Sequence, residues 1–223
     1  MLMQNTSTVL PFVHLLEKLK TTKRAGWLNE SLCNTESIAD HMYRMAMLTL
    51  LCNDPALDKT RMMALALVHD LAEAIVGDIT PRDNVPKLEK QRLEQAAMEH
   101  ICTVTLPVGH AGARRDIMSL FEEYEERASP EARYVKDLDT FELLVQVTEY
   151  EVREGFRKNL GHFLDGKETI SHPQVRAWRD EALKERDAHW HKFKMGEAAQ
   201  ESNDTVRAVK QALEAEADQV ATS

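Results

Sequence analysis

Apolar residues return every three or four positions along most of this chain. Nowhere do Val, Ile, Thr, Phe and Tyr alternate over a run of strand length. That period is the helical one, and it puts each apolar set on one face of a helix. Breakers are scarce, with 8 Gly and 7 Pro in 223 residues, so the helices run long. The chain reads as all-α.

Residues 9–20 make a first helix through Val9, Phe12, Val13, Leu16 and Leu19. A polar stretch broken by Gly26 follows. Ser37 and Asp40 have the spacing of a capping box, which starts a second helix with the stripe Ile38, Met42, Met45, Leu48, Thr49 and Cys52. Residues 59–76 form the third helix, apolar on nearly every side from Met62 to Ala72 and ended by Gly77, so it is expected to be the buried central one. The breaker-rich run from Gly77 to Pro86 is a loop. Further helices are expected at 86–102, 112–127, 130–154 and 173–192. Residues 1–195 are read as one domain, and the Ala-, Glu- and Gln-rich 196–223 as a peripheral helix or tail.

His69 and Asp70 interrupt the most apolar part of this pattern. A charged carboxylate buried among hydrocarbon is costly without a partner, and so is an imidazole without a hydrogen bond. A metal ion satisfies both. His41 lies on the stripe of the second helix, and Asp139 lies between Leu138 and Phe141 on the long helix 130–154. His41, His69, Asp70 and Asp139 thus offer two nitrogens and two oxygens, a mixed set that leaves positions for water. It suits Mn²⁺, Co²⁺, Mg²⁺ or Fe²⁺, or a loose Zn²⁺ site. Open positions on such an ion permit hydrolysis. Taken singly, each of these residues is more often a satisfied core group, so the argument rests on the set.

The segments TESIADHMYRMAML, ALVHDLAEAIVGDITPRDNVPK and YVKDLDTFELLVQVTEYE, with KRAGW upstream, resemble the HD-domain superfamily. More narrowly they are similar to its 5′-deoxynucleotidase branch, over about residues 9–190. The resemblance implies an HD-domain helical bundle with a buried metal site. It implies hydrolysis of deoxyribonucleoside 5′-monophosphates with low base selectivity, a divalent metal and a homodimer. It assigns His41, His69, Asp70 and Asp139 to the ion. Glu73 and Asp78 match acids beside the attacking water, and with the carbonyl of Ile79 they match a second, weaker ion site. Arg24 and Trp27 match substrate contacts, although here two residues separate them. The residues themselves agree: Glu73 is one turn after His69 and shares its face, Asp78 follows Gly77 into the loop, and either can position the water or act as general acid. The blander alternatives are a solvated helix position for Glu73, a core anchor for Trp27 and a surface charge for Arg24. Rival readings are an HD-type phosphodiesterase, a hydrolase of alarmones or nucleoside triphosphates, and a metal-stabilised binding module without turnover.

Composition narrows the partners. The net charge of −9 is a poor match for long nucleic acid, whose binding rests on neutralising phosphates. A small phosphorylated substrate needs only a local positive site. The run Glu122–Glu126 is expected to be a solvated face. Three cysteines without a CxxC pair suit a reducing compartment, and no segment has the apolar length of a membrane span, so a cytoplasmic protein is expected.

Overall fold

A computed structural model describes residues 8–165, 170–194 and 211 of the chain. Among these the regular elements are helices: α1 (Leu10–Thr21), α2 (Ala25–Asn29), α3 (Ile38–Thr49), α4 (Lys59–Val68), α5 (Glu73–Val76), α6 (Lys87–His100), α7 (Ala111–Glu126), α8 (Pro130–Arg153) and α9 (Pro173–Lys194). The all-α expectation is met. The tail 196–223 lies outside the described residues, apart from Gln211.

The described residues fall into two compact units. The first holds residues 8–142 and 170–176. Its core joins Leu19 of α1, Ile38 and Met42 of α3, Val68 of α4, Leu71 and Ala72 of the turn that follows, Met98 of α6 and Phe121 of α7. Full burial of a Leu, Ile, Val, Met or Phe side chain is worth about 1.5–3 kcal/mol. The capping box forms as its spacing requires: Ser37 accepts from the Asp40 N–H, and the Asp40 carboxylate accepts from the Ser37 N–H at 2.7 Å. Asp58 caps α4 by accepting from Thr60 and Arg61 N–H.

The second unit holds residues 143–165 and 177–194. Its centre is Glu151, fully buried and fully satisfied. The carboxylate accepts two bonds from Arg186 at 2.8 Å, one from the Trp190 indole at 2.9 Å and one from Leu160 N–H at 2.8 Å. The Phe156 ring packs against Trp190 beside it.

Three expectations need correction. The single helix over 59–76 is in fact α4, a tight turn over 69–72, and α5. The N–H groups of Leu71, Glu73, Ala74 and Ile75 each bond to the carbonyl three residues back rather than four. Three-residue winding eclipses side chains at i and i+3, which brings Asp70 and Glu73 into line. The stretch after α1 is not irregular throughout, because Trp27 anchors α2 in it. The run Glu122–Glu126 is solvated only in part. Glu123 is buried, held by Arg61 and Ser129, and Tyr124 is buried beside it.

Candidate metal centre

The tight turn after α4 carries His69 and Asp70. His69 Nδ1 stands 2.9 Å from the Ala66 carbonyl, which can only accept, so the ring donates there and turns its Nε2 lone pair outward. His41, on the buried face of α3, is set the same way: Nδ1 is 2.7 Å from the Glu142 carboxylate. Both Nε2 atoms are buried, and no hydrogen bond reaches either. His69 Nε2 lies 3.2 Å from Asp70 Oδ2, and His41 Nε2 lies 3.8 Å from the same oxygen and 3.4 Å from Asp139 Oδ1. The ligand atoms of His41, His69 and Asp70 all fall within 4.8 Å of one another.

The chemistry of this donor set fits a divalent cation. Two imidazole lone pairs with no donor to meet them face two carboxylates, and that arrangement asks for positive charge. Charge on His41 responds accordingly: burial and Arg24 pull its pKa down, but Glu142 and Asp139 outweigh them and lift it to about 10. Asp70 is held far below the usual carboxylate range. Burial opposes this, and His69, Arg24 and His41 overcome it. Asp139 is depressed in the same way by Lys136, His41 and His69.

Of the four residues expected from sequence, His41 of α3 and His69 and Asp70 of the 69–72 turn group together, and Asp139 of α8 adjoins them, its Oδ1 3.4 Å from His41 Nε2. Asp70 and Asp139 keep about a fifth of their side chains exposed, so the centre opens to solvent on the carboxylate side. Glu73, at the start of α5, is 4% exposed with Oε2 unpartnered. Burial and the nearby Asp70 and Asp78 push its carboxyl well above the ordinary glutamate range. It is thus no solvated helix position. Gly77 takes φ 76°, a backbone strained for any side chain, and so turns Asp78 back under α2. Asp78 Oδ2 there accepts from Ala25 N–H at 2.6 Å. The Ile79 carbonyl is also engaged, accepting from Lys90 Nζ at 3.2 Å.

Arg24 reaches in from the start of α2 and donates to Asp70 Oδ2 at 3.1 Å, with 17% of its side chain exposed. A backbone bridge between Lys23 and Ser37 fixes this approach to the start of α3. Trp27 is 2% exposed, and its indole donates to Glu36 at 2.8 Å. It offers no open ring face. Sequence reasoning missed four neighbours of the centre: Glu142 and Glu36 behind His41, and Tyr124 and Lys136 on Asp139. Lys136 and Glu142 lie three residues either side of Asp139 on α8, a spacing that puts them on its face.

The sequence pattern of the HD domain family matches residues 16–178. The chain belongs to the HD domain family. This HD domain is 46% identical over 183 residues to the 5′-deoxynucleotidase hdd1 of Schizosaccharomyces pombe, covering 82% of this chain and 92% of that one. To the human 5′-deoxynucleotidase HDDC2 it is 44% identical over 171 residues, covering 75% and 81%. Among solved structures it is similar to the HD domain-containing protein YGK1, with TM-score 0.62, 32% identity and coverage of 80% and 85%. The PH0347 protein of Pyrococcus horikoshii gives the same TM-score at 28% identity, covering 80% and 98%.

Proposed function

We propose that this HD domain is a metal-dependent 5′-deoxynucleotidase, releasing phosphate from deoxyribonucleoside 5′-monophosphates. The observation that carries it is the pair of buried, unpartnered Nε2 atoms of His41 and His69 facing Asp70 and Asp139. The names of the similar proteins supply the substrate class.

In this reading His41, His69, Asp70 and Asp139 hold one divalent ion, Mn²⁺, Co²⁺ or Mg²⁺, with Zn²⁺ or Fe²⁺ as other occupants. When bound, such an ion polarises a phosphoryl oxygen and favours ionisation of water. Arg24 offers the phosphate a planar fork of donors from the Asp70 side. The reaction breaks the P–O5′ bond and forms a P–O bond to water, and the leaving 5′-oxygen needs a proton. Glu73 is the group suited to carry it, since its environment favours the protonated form. Asp78 holds the loop that brings Arg24 and Glu73 together. Trp27 enters as the support of Glu36 rather than as a substrate contact. A second ion on Glu73, Asp78 and the Ile79 carbonyl would share that carbonyl with the Lys90 ammonium, which repels it, so the first four ligands carry the reading.

The proposal extends to residues 1–195 as one catalytic domain, acting as a homodimer in the cytoplasm on a small-molecule substrate. No described helix is long and apolar enough to cross a membrane.

The test strips the protein with a chelator and follows phosphate release from dAMP and AMP, with and without Mn²⁺, Co²⁺ or Mg²⁺. Metal-dependent release from dAMP with little from AMP is the expected result. Stoichiometric metal uptake without release from either moves the function to another phosphorylated substrate or to binding. Full activity in metal-free protein refutes the mechanism.

A further inference from the structure

Two carboxylates face His41 Nε2, and each carries a cation. Arg24 sits on Asp70. On Asp139 the cation is Lys136, one turn earlier on α8, with Nζ 2.9 Å from Oδ2. We propose that Lys136 is a second phosphate-binding residue, holding the substrate from the Asp139 side as Arg24 does from the Asp70 side. The inference rests on the nucleotidase reading above and adds a residue to it.

The local geometry favours this over a purely supporting role. Asp139 Oδ1 faces His41, and Oδ2 already has a fixed donor in the Tyr124 hydroxyl at 3.1 Å. Tyr124 is buried and packs against the His69 ring, 4.8 Å between centroids, so it is locked beside the centre. Orientation of Asp139 therefore does not require an ammonium. An ammonium has three N–H donors. One goes to Asp139, and one to the Tyr124 oxygen at 3.3 Å. The third has no partner among the described residues, and 31% of the side chain is exposed. Lys136 thus combines a full charge, a spare donor and solvent access beside the ion site. In a chain of net charge −9, a dianionic ligand needs such placed cations.

The experiment compares the full-length wild type with Lys136→Met, which keeps the alkyl stem, and Lys136→Arg, which keeps the charge. Calorimetry measures Mn²⁺ affinity, then the affinity of the Mn²⁺-loaded protein for inorganic phosphate. Steady-state kinetics on dAMP separate KM from kcat. The expected result for Lys136→Met is unchanged Mn²⁺ affinity and melting temperature, with phosphate binding weakened about 10- to 100-fold and the same loss falling on KM. Lys136→Arg restores most of the binding. Unchanged phosphate affinity in Lys136→Met overturns the proposal, as does a loss confined to Mn²⁺ affinity, which makes Lys136 a support of Asp139 only. If Lys136→Met fails to fold, Lys136→Gln makes the same comparison. Wild-type protein that binds Mn²⁺ and phosphate but leaves dAMP intact refutes the nucleotidase reading, while the phosphate-binding arm still decides on Lys136.

Discussion

Replacing Glu142 by Ala tests whether the metal centre is held from behind as well as from in front. Glu142 is 1% exposed, and its two oxygens are divided between two partners. Oε2 accepts from His41 Nδ1 at 2.7 Å, and Oε1 accepts from Arg44 Nε at 2.8 Å. Removing one member of a buried ion pair costs about 3–5 kcal/mol. Here the lower end applies. Arg44 is 29% exposed and can turn to water, whereas His41 is wholly buried and cannot. A loss of about 3 kcal/mol lowers the melting temperature of a domain this size by about 6–12 °C. The second effect is on the ion. Without Glu142 the 2.7 Å acceptor at Nδ1 is lost, and with it the bond that holds the tautomer whose Nε2 lone pair points at Asp70 and Asp139. Groups that orient a metal-binding imidazole typically contribute about 10- to 100-fold in affinity. Calorimetric titration with Mn²⁺ reads that loss, and melting with and without Mn²⁺ reads the stability. Glu142→Gln, which retains an acceptor but no charge, should fall between wild type and Ala. At saturating Mn²⁺ the kcat of the Gln variant should recover. Wild-type ion affinity in Glu142→Ala would refute the orientation argument, and a kcat that stays low at saturation would show that Glu142 does more than orient His41.

Three other outcomes follow from the same geometry. His69→Ala or Asp70→Ala should abolish Mn²⁺ uptake and hydrolysis together, read by calorimetry and phosphate release on one preparation. Glu73→Gln should keep ion affinity and KM while kcat falls about 10²- to 10⁴-fold, the range for a lost proton carrier. Glu123 is depressed: burial opposes this, and bonds from Arg61 and Ser129 outweigh it. Its contribution is therefore present above the ordinary glutamate pKa and fades as pH falls through the lower folded value. Arg61 is 47% exposed, so the contribution is about 1 kcal/mol after solvent screening. Urea midpoints from neutral to acid pH should converge between wild type and Glu123→Gln at the acid end, and a constant gap would contradict the assignment.

The helices were legible because their signals are local. The Ser37 and Asp40 box and the stripe from Ile38 to Thr49 are each decided within a few residues. The break after Val68 was not, because its cause is not local. Residues 59–76 satisfy the helical pattern throughout. Only the centre gains from tightening the backbone at Leu71, where three-residue winding aligns Asp70 with Glu73. A periodicity argument registers which face a residue is on, and a change of winding over four residues falls below what it can register.

The same distinction explains which site residues could be read. His41, His69, Asp70 and Asp139 are polar groups at apolar positions, and each is anomalous without a partner. Arg24 and Asp78 sit in a polar loop where nothing is anomalous, and only the resemblance marked them. Glu142 shows the deeper limit. It is as buried as His41, yet it follows Asp139 in DTFE on a helix dense with charge, where one more acid is unremarkable. Its importance comes from a contact 101 positions back along the chain. Once His41 is accepted as a ligand, however, its other nitrogen must find an acceptor, because an imidazole that gives one lone pair to an ion carries a proton on the opposite side. The search for that acceptor narrows to carboxylates one turn from a ligand that already faces the ion. Asp139 has one such neighbour toward the chain's end, and it is Glu142.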